Sequence, residues 1–377
     1  MRPTIHAACC SGGHTSSDRP TGFGSSPAST LYDVAREAGV STATVSRVVH
    51  GQDRVRPATR ARVLKVIEAL GYIPDGAAQS MARHRKEVIG LVAVESRSPD
   101  TDVEQEGLLF IEEVLRGVEF SLSQIEWSLL ISLLHGDDPA AAYRRLQKIS
   151  AQVDGLLITE GIISSDQLAL LATRTPIVLV AGSPDEPHAD VFGADNRAGT
   201  RALVRHLVEQ HGRTRMFAIA GPPEAPDARE RRNALSEALA EYPGATLTGS
   251  FEGRFAAMSG QLAVREILTW PRRDLPDAIV CANDQMAIGA IRELQIAGIR
   301  VPADIAVVGF DDMHAGTLVA PPLTTVRQPM RLLGERACAR LLQRIADPAL
   351  PRHVERLPTD LIIRESCGCG GHENGQH

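Results

Sequence analysis

The stretch TLYDVAREAGVSTATVSRVVHG, Thr30–Gly51, decides the reading of this chain. On a helix beginning at Thr42, with about 100° between successive residues, Val45, Val48 and Val49 fall on one side. Thr42, Ala43, Ser46, Arg47 and His50 gather on the other. One face is apolar and the other is built to form hydrogen bonds, with Ser41 just ahead as an N-cap. The preceding LYDVAREA places Leu31, Val34, Ala35 and Ala38 at core spacing, and Gly39 suits a tight turn between the two helices. Two short helices joined in this way form a helix-turn-helix, whose second helix enters the DNA major groove.

A third helix is expected from Pro57 to Gly71, packing Val63, Leu64, Ile67 and Leu70 beneath the other two. Charge agrees with a DNA-reading head. The chain as a whole carries 40 Lys and Arg against 46 Asp and Glu, a net charge of −6. From Leu31 to Lys86, by contrast, ten basic residues stand against five acidic ones. A basic segment on an acidic body is the electrostatic footprint of a small nucleic-acid-binding domain.

The body, from Val88 onward, alternates helical stretches with seven apolar runs: VIGLVAV, WSLLISLL, VDGLLIT, TPIVLVA, MFAIAGP, DAIVCAND and IAVVGFDD. Runs of this kind indicate parallel sheets covered on both faces, and ligands of such sheets bind beyond the carboxyl ends of the strands. At 377 residues the chain is long enough for more than one domain. It contains no run of 18 apolar residues, so no membrane span is expected. The first 29 residues are rich in Ser, Gly, Thr and Pro and read as a disordered leader on a cytoplasmic protein.

Enzymes are disfavoured: the sequence has no phosphate loop ending in Lys-Ser or Lys-Thr, no HExxH and no G-x-S-x-G. A solute-binding protein would need an export signal where this chain has a basic helical head. No cofactor is assigned. The six cysteines form no disulfide framework. At the chain end, CGCGGHENGQH, the residues Cys367, Cys369 and His372 read as part of a floppy Gly-rich tail, and no metal is assigned.

The motif TLYDVAREAGVSTATVSRVVHG, followed by VRPATRARVLKVIEALGYIPD, resembles the headpiece of the lactose-repressor (LacI/GalR) family of bacterial regulators. The similarity continues into the body as far as Cys367. It implies an α/β architecture: an N-terminal three-helix helix-turn-helix headpiece plus two Rossmann-like lobes of periplasmic-binding-protein type. The implied boundaries are 1–29 for the leader, 30–74 for the DNA-binding domain and 75–87 for a hinge helix. A core of two lobes then spans 88–367, with a flexible tail at 368–377.

The resemblance also implies roles for particular residues. Thr42 and Ala43 would choose the operator sequence, with Ser46 and Arg47 beside them. Thr30, Tyr32, His50, Arg54 and Thr59 would hold the phosphate backbone, which fixes register. In the hinge, Met81 would wedge into the minor groove from each subunit, with Arg83, Arg85 and Lys86 neutralising phosphates. Between the lobes, Phe110, Arg231, Phe255, Asn283 and Asp311 would line the effector site. Asp284 is read as the cap of the helix after Asn283, and Asp195 and Asn196 as braces of the lobe crossing. Ala181 stands where many sugar-responsive relatives carry an acidic residue. The implied partners are operator DNA, a second copy of the chain and a small effector, a sugar ahead of a purine.

Overall fold

In a computed structural model, residues 29–49, 54–72, 85–95, 108–135, 138–159 and 163–370 are described. They fall into two compact units, one within residues 1–84 and one within 85–377. The expectations for the leader, His50 and Met81 lie outside the described residues.

The first unit contains α1 (Leu31–Ala38), α2 (Thr42–Val49) and α3 (Pro57–Leu70). Thr30 and Asp33 form a reciprocal capping box at the start of α1, and Gly39 ends it in the left-handed conformation at φ 61°. The Val40 N–H then returns to the Ala35 carbonyl at 3.0 Å, which turns the chain into α2. Ser41 caps α2, its Oγ accepting from the Thr44 N–H at 3.2 Å. Val34, Val45 and Val63, one from each helix, are completely buried together. The sequence expectation errs at one point: Leu64 is 50% exposed. It lies about 100° around α3 from Val63, and the half-buried Val66, Ile67 and Leu70 complete the packed face instead.

The second unit holds two six-stranded sheets. Sheet one, ordered β11-β5-β4-β3-β1-β2, contains β1 (Val88–Glu95), β2 (Ser128–His135), β3 (Gly155–Thr159), β4 (Ile177–Val180), β5 (Asp190–Ala194) and β11 (Val354–Leu357). All its pairings are parallel. Sheet two, ordered β12-β10-β9-β8-β6-β7, contains β6 (Arg215–Ala220), β7 (Thr246–Glu252), β8 (Ala278–Cys281), β9 (Ala306–Asp311), β10 (Thr324–Arg327) and β12 (Asp360–Ile362). Only the β10–β12 pair in it is antiparallel. The seven apolar runs of the sequence all become strands. The five that were not foreseen are short or polar: β5 has five residues including Gly193, and edge strand β7 is TLTGSFE.

Helices α4 (Leu108–Ser123), α5 (Pro139–Ser150), α6 (Ser165–Ala172) and α12 (Met330–Ala346) cover sheet one. Helices α7 (Asn196–His211), α8 (Pro226–Ala240), α9 (Ala257–Ile267) and α10 (Asp284–Ile296) cover sheet two, and the short α11 (Ala315–Leu318) follows β9. The chain therefore crosses between lobes three times, after β5, after β10 and after β11. The second crossing returns α12 to sheet one because its apolar stripe, Met330, Leu333, Ala337, Cys338 and Leu341, is buried in that core. Arg340 and Arg344 on the same helix clamp Asp190, at the start of β5, at 2.9 and 2.7 Å. Burial alone would raise the Asp190 pKa, but these ion pairs and the His353 N–H outweigh it and hold the carboxyl below its ordinary value.

In each lobe, two helices meet backbone to backbone through a reciprocal glycine pair. A Cβ on Gly117 of α4 would overlap the Arg331 carbonyl, and one on Gly334 of α12 would overlap that of Val114. Gly260 of α9 and Gly289 of α10 face Met286 and Ala257 in the same way.

Candidate functional site

The helix-turn-helix unit presents its polar face as the sequence suggests. Ala43 and Arg47 are exposed, Thr42 and Ser46 half-buried, and the valines on the opposite side of α2 are covered. Tyr32 is 75% exposed and Arg54 is exposed, while Thr59 is half-buried in the first turn of α3. Thr30 is already engaged: its Oγ donates to Asp33 at 2.7 Å, and Arg36 donates to the same carboxylate at 2.7 Å. Those hydrogen bonds, Thr30's first, hold the Asp33 carboxyl below its ordinary pKa. A phosphate at this end of α1 would meet the helix N-terminus and an exposed Tyr32 rather than a free Thr30 hydroxyl.

Lys86 departs from expectation. Its ammonium donates to the Val153 carbonyl at 2.8 Å, and Asp154 accepts the N–H groups of residues 86 and 87 at 2.9 and 2.6 Å. This lysine fastens the entry to β1 instead of standing ready for a phosphate.

In the two-lobe unit, the crossings lie at the carboxyl ends of the strands, and the polar residues collect there. The Arg231 guanidinium, 6% exposed, donates to Asn196 Oδ1 at 2.8 Å and to the Ala282 carbonyl at 2.6 Å. It also lies 3.7 Å from Asp227 and from Asp311, and 3.7 Å above the Phe310 ring. Asn196 donates onward to Asp227 and Glu230, both at 2.9 Å. As expected of a brace, Asp195 caps α7 through the Ala198 N–H, and its own N–H bonds the Leu357 carbonyl across two crossings.

Asp311 ends β9 at a strained φ of 123°. Gln328 donates to it at 2.6 Å from the second crossing. Burial pushes the Asp311 carboxyl up to about 6, against the opposing pull of Arg231 and the Gln328 hydrogen bond. Asp284 is raised well above its ordinary value, first by burial and then by the nearby Asp311 charge.

Sequence reasoning placed the helix cap on the wrong one of two neighbours. Asn283, not Asp284, caps α10: its Oδ1 accepts from the Met286 N–H at 3.0 Å. Asp284 is completely buried and ties β10 to the loop after β9, accepting from Thr325 Oγ1 at 2.5 Å and from the Met313 N–H at 2.7 Å. Strand β8 ends at Cys281, and this sets the start of the helix; either residue type can cap, so the pair ND alone does not say which does.

Asn283 Nδ2 also donates to the Phe255 carbonyl at 2.9 Å, holding that residue at φ 61°. The half-buried Phe255 ring passes so close to Gly221, just past β6, that a Cβ there would collide with it. Phe110, in the first turn of α4, packs half-buried against the core of sheet one. Ala181, just beyond β4, adopts φ 58°, its N–H held by the Phe192 carbonyl at 2.8 Å.

Two groups at this boundary were not found from the sequence. Gln328 is one. The other is Arg356 of β11, which donates to Glu230 of α8 at 2.7 Å and to the Gly182 carbonyl at 3.2 Å. Among the described residues, Gln328 Oε1 and Arg356 Nη1 are buried without a hydrogen-bond partner.

A helix-turn-helix unit joined to two α/β lobes, with charged and aromatic residues where the lobes meet, defines a DNA-binding regulator of the ligand-controlled class. Residues 30–75 match the bacterial regulatory proteins of the lacI family, and residues 204–367 match a periplasmic binding protein-like domain. The HTH-type transcriptional repressor PurR of Aliivibrio salmonicida is 33% identical over 344 residues, covering 89% of this chain and 98% of that protein. The ribose operon repressor of Escherichia coli K12 is 34% identical over 346 residues, covering 89% and 99%. The lac repressor dimer bound to operator and the anti-inducer ONPF superposes with a TM-score of 0.79 at 31% identity, covering 90% of this chain and 99% of that one. The chain belongs to the lacI family of bacterial regulatory proteins. Among its described residues, no helix is long and apolar enough to cross a membrane.

Proposed function

We propose that this regulator is a cytoplasmic repressor that binds a near-palindromic operator as a homodimer, with a sugar-like effector held between its lobes. Two copies of a helix-turn-helix placed by two-fold symmetry read two half-sites. Arg47 reads a guanine, Thr42, Ala43 and Ser46 discriminate beside it, and Tyr32, His50, Arg54 and Thr59 set the register on the backbone, with Thr30 acting beside them as the cap of α1. Met81 supplies the minor-groove wedge.

The observation that carries the effector reading is the buried, unpartnered Gln328 Oε1 beside the Asp311 carboxylate and the Arg231 guanidinium. A sugar offers neighbouring hydroxyls that each donate and accept, which satisfies an amide oxygen and a carboxylate side by side. Phe255 offers a ring to the apolar face of the sugar, Asn283 fixes the loop carrying that ring, and Phe110 supplies an apolar contact from the first lobe. Support also comes from relatives: a ribose operon repressor is among them, and a similar structure is a regulator CelR–cellobiose complex.

The test is a thermal-shift panel of monosaccharides, disaccharides and nucleobases, followed by operator anisotropy with each binder. Ligand at about a hundred times its Kd adds about 2.7 kcal/mol to stability, a readily measured rise in Tm. A rise with a sugar, together with changed operator affinity, is expected. A response confined to nucleobases would replace the sugar with a purine.

A further inference from the structure

We infer that the chain end and helix α7 together build a zinc site from His206, His211, Cys367 and Cys369. The sequence alone assigns the cysteines to a floppy tail. In the fold, the last described residues lie against the C-terminal end of α7, where both histidines stand. Cys367 is completely buried in the core of the second lobe, His206 is nearly so, and the other two ligands are half-covered. His372 lies outside the described residues.

Four of the six donor–donor distances match the edges of a zinc tetrahedron. Zinc–nitrogen bonds of about 2.0–2.1 Å and zinc–sulfur bonds of about 2.3 Å give tetrahedral edges of about 3.3–3.4 Å for N···N and about 3.6 Å for N···S. The two imidazole Nε2 atoms are 3.3 Å apart. Cys367 Sγ lies 3.4 Å from His206 Nε2, and Cys369 Sγ lies 3.7 Å from His206 Nε2 and 3.4 Å from His211 Nε2. All four donor atoms fall within 4.8 Å of one another. Once the two thiols are deprotonated, two sulfurs and two ring nitrogens turn lone pairs toward a common centre that a cation can occupy. Two thiolates and two imidazoles in this arrangement select zinc over harder ions.

Local structure supports the cluster. Gly368, between the two cysteines, adopts φ 117°, and a Cβ there would press on the His211 ring, so the bend that aims both sulfurs at the helix needs glycine. Ser366 pins the same segment, donating to the Val307 carbonyl at 2.5 Å and accepting from the Thr324 N–H at 2.8 Å. Helix α7 begins at the first lobe crossing, and the segment ending in Cys369 follows the third. The ion would thus join the far ends of two elements that both start at the lobe boundary.

The test uses tag-free full-length protein purified under reducing conditions without chelator, with metal content measured by mass spectrometry. About one zinc per chain is expected, falling at least tenfold in Cys369→Ser and in His211→Gln but not in the control His314→Gln. Cobalt loaded in place of zinc is expected to give thiolate charge-transfer and tetrahedral ligand-field bands, which reports on the wild-type chain even if a variant fails to fold. Zinc is also expected to slow the reaction of two thiols with a disulfide reagent. Wild-type protein that stays metal-free after incubation with zinc, or that isolates under these conditions with a Cys367–Cys369 disulfide, would overturn the assignment.

Discussion

Arg356 on β11 of the first lobe donates to Glu230 on α8 of the second at 2.7 Å, so an ion pair bridges the two lobes beside the crossing segments. Burial raises the Glu230 carboxyl pKa, and hydrogen bonds from Asn196 and the Arg356 charge oppose it. A bridge made in this lobe arrangement stabilises it, and a group that stabilises one arrangement over another biases the equilibrium between them.

Arg356→Met and Glu230→Gln are each expected to shift the effector concentration for half-maximal operator response by at least about fivefold, in the same direction. The double variant should go little further, because both changes remove one interaction. Titrations of operator anisotropy check this; two unchanged midpoints would mean that the bridge biases nothing.

Arg47→Ala is expected to cost about 1–3 kcal/mol of discrimination, the usual worth of a bidentate guanine contact. Binding to unrelated duplex at the same salt should weaken much less. Equal loss on both duplexes would assign Arg47 to the phosphate backbone.

On α3, Val63→Ala should destabilise the headpiece by about 1–3 kcal/mol, whereas Leu64→Ser should fall within about 0.5 kcal/mol of wild type. Urea midpoints followed by a headpiece-specific probe decide the register of the helix. Comparable losses at both positions would rotate its buried face.

The Asp311 carboxyl predicts a pH signature. Its pKa is about 6 in the fold against 3.8 as the ordinary value. Between those values the folded state holds more protons than the unfolded one, so this group's contribution to stability falls as pH rises through that window. Asp311→Asn removes the titration. Its Tm relative to wild type should therefore climb from about pH 4 to about pH 6 and level off above. A difference that is flat across this range would show that the carboxyl titrates normally.

Most of the architecture was legible because its signals are local. The valine ridge of α2, the Gly39 turn and the seven apolar runs each lie within a dozen residues. Misreadings came where neighbours compete for one role, as with Asn283 and Asp284, or where a helix face is one residue wide of the mark, as at Leu64. What remained hidden joins distant segments. Gln328 meets Asp311, Arg356 meets Glu230, and two cysteines at the chain end meet two histidines of α7. No periodicity encodes such meetings; only the order of strands and the three crossings bring them about.

The reciprocal glycine pairs, Gly117 with Gly334 and Gly260 with Gly289, leave those helices no side-chain cushion over which to slide. Each lobe should thus behave as a stiff plate, unable to pass a signal by internal creep. Whatever an effector does must appear as a change of angle between plates, taken up by the three narrow strips of chain that connect them.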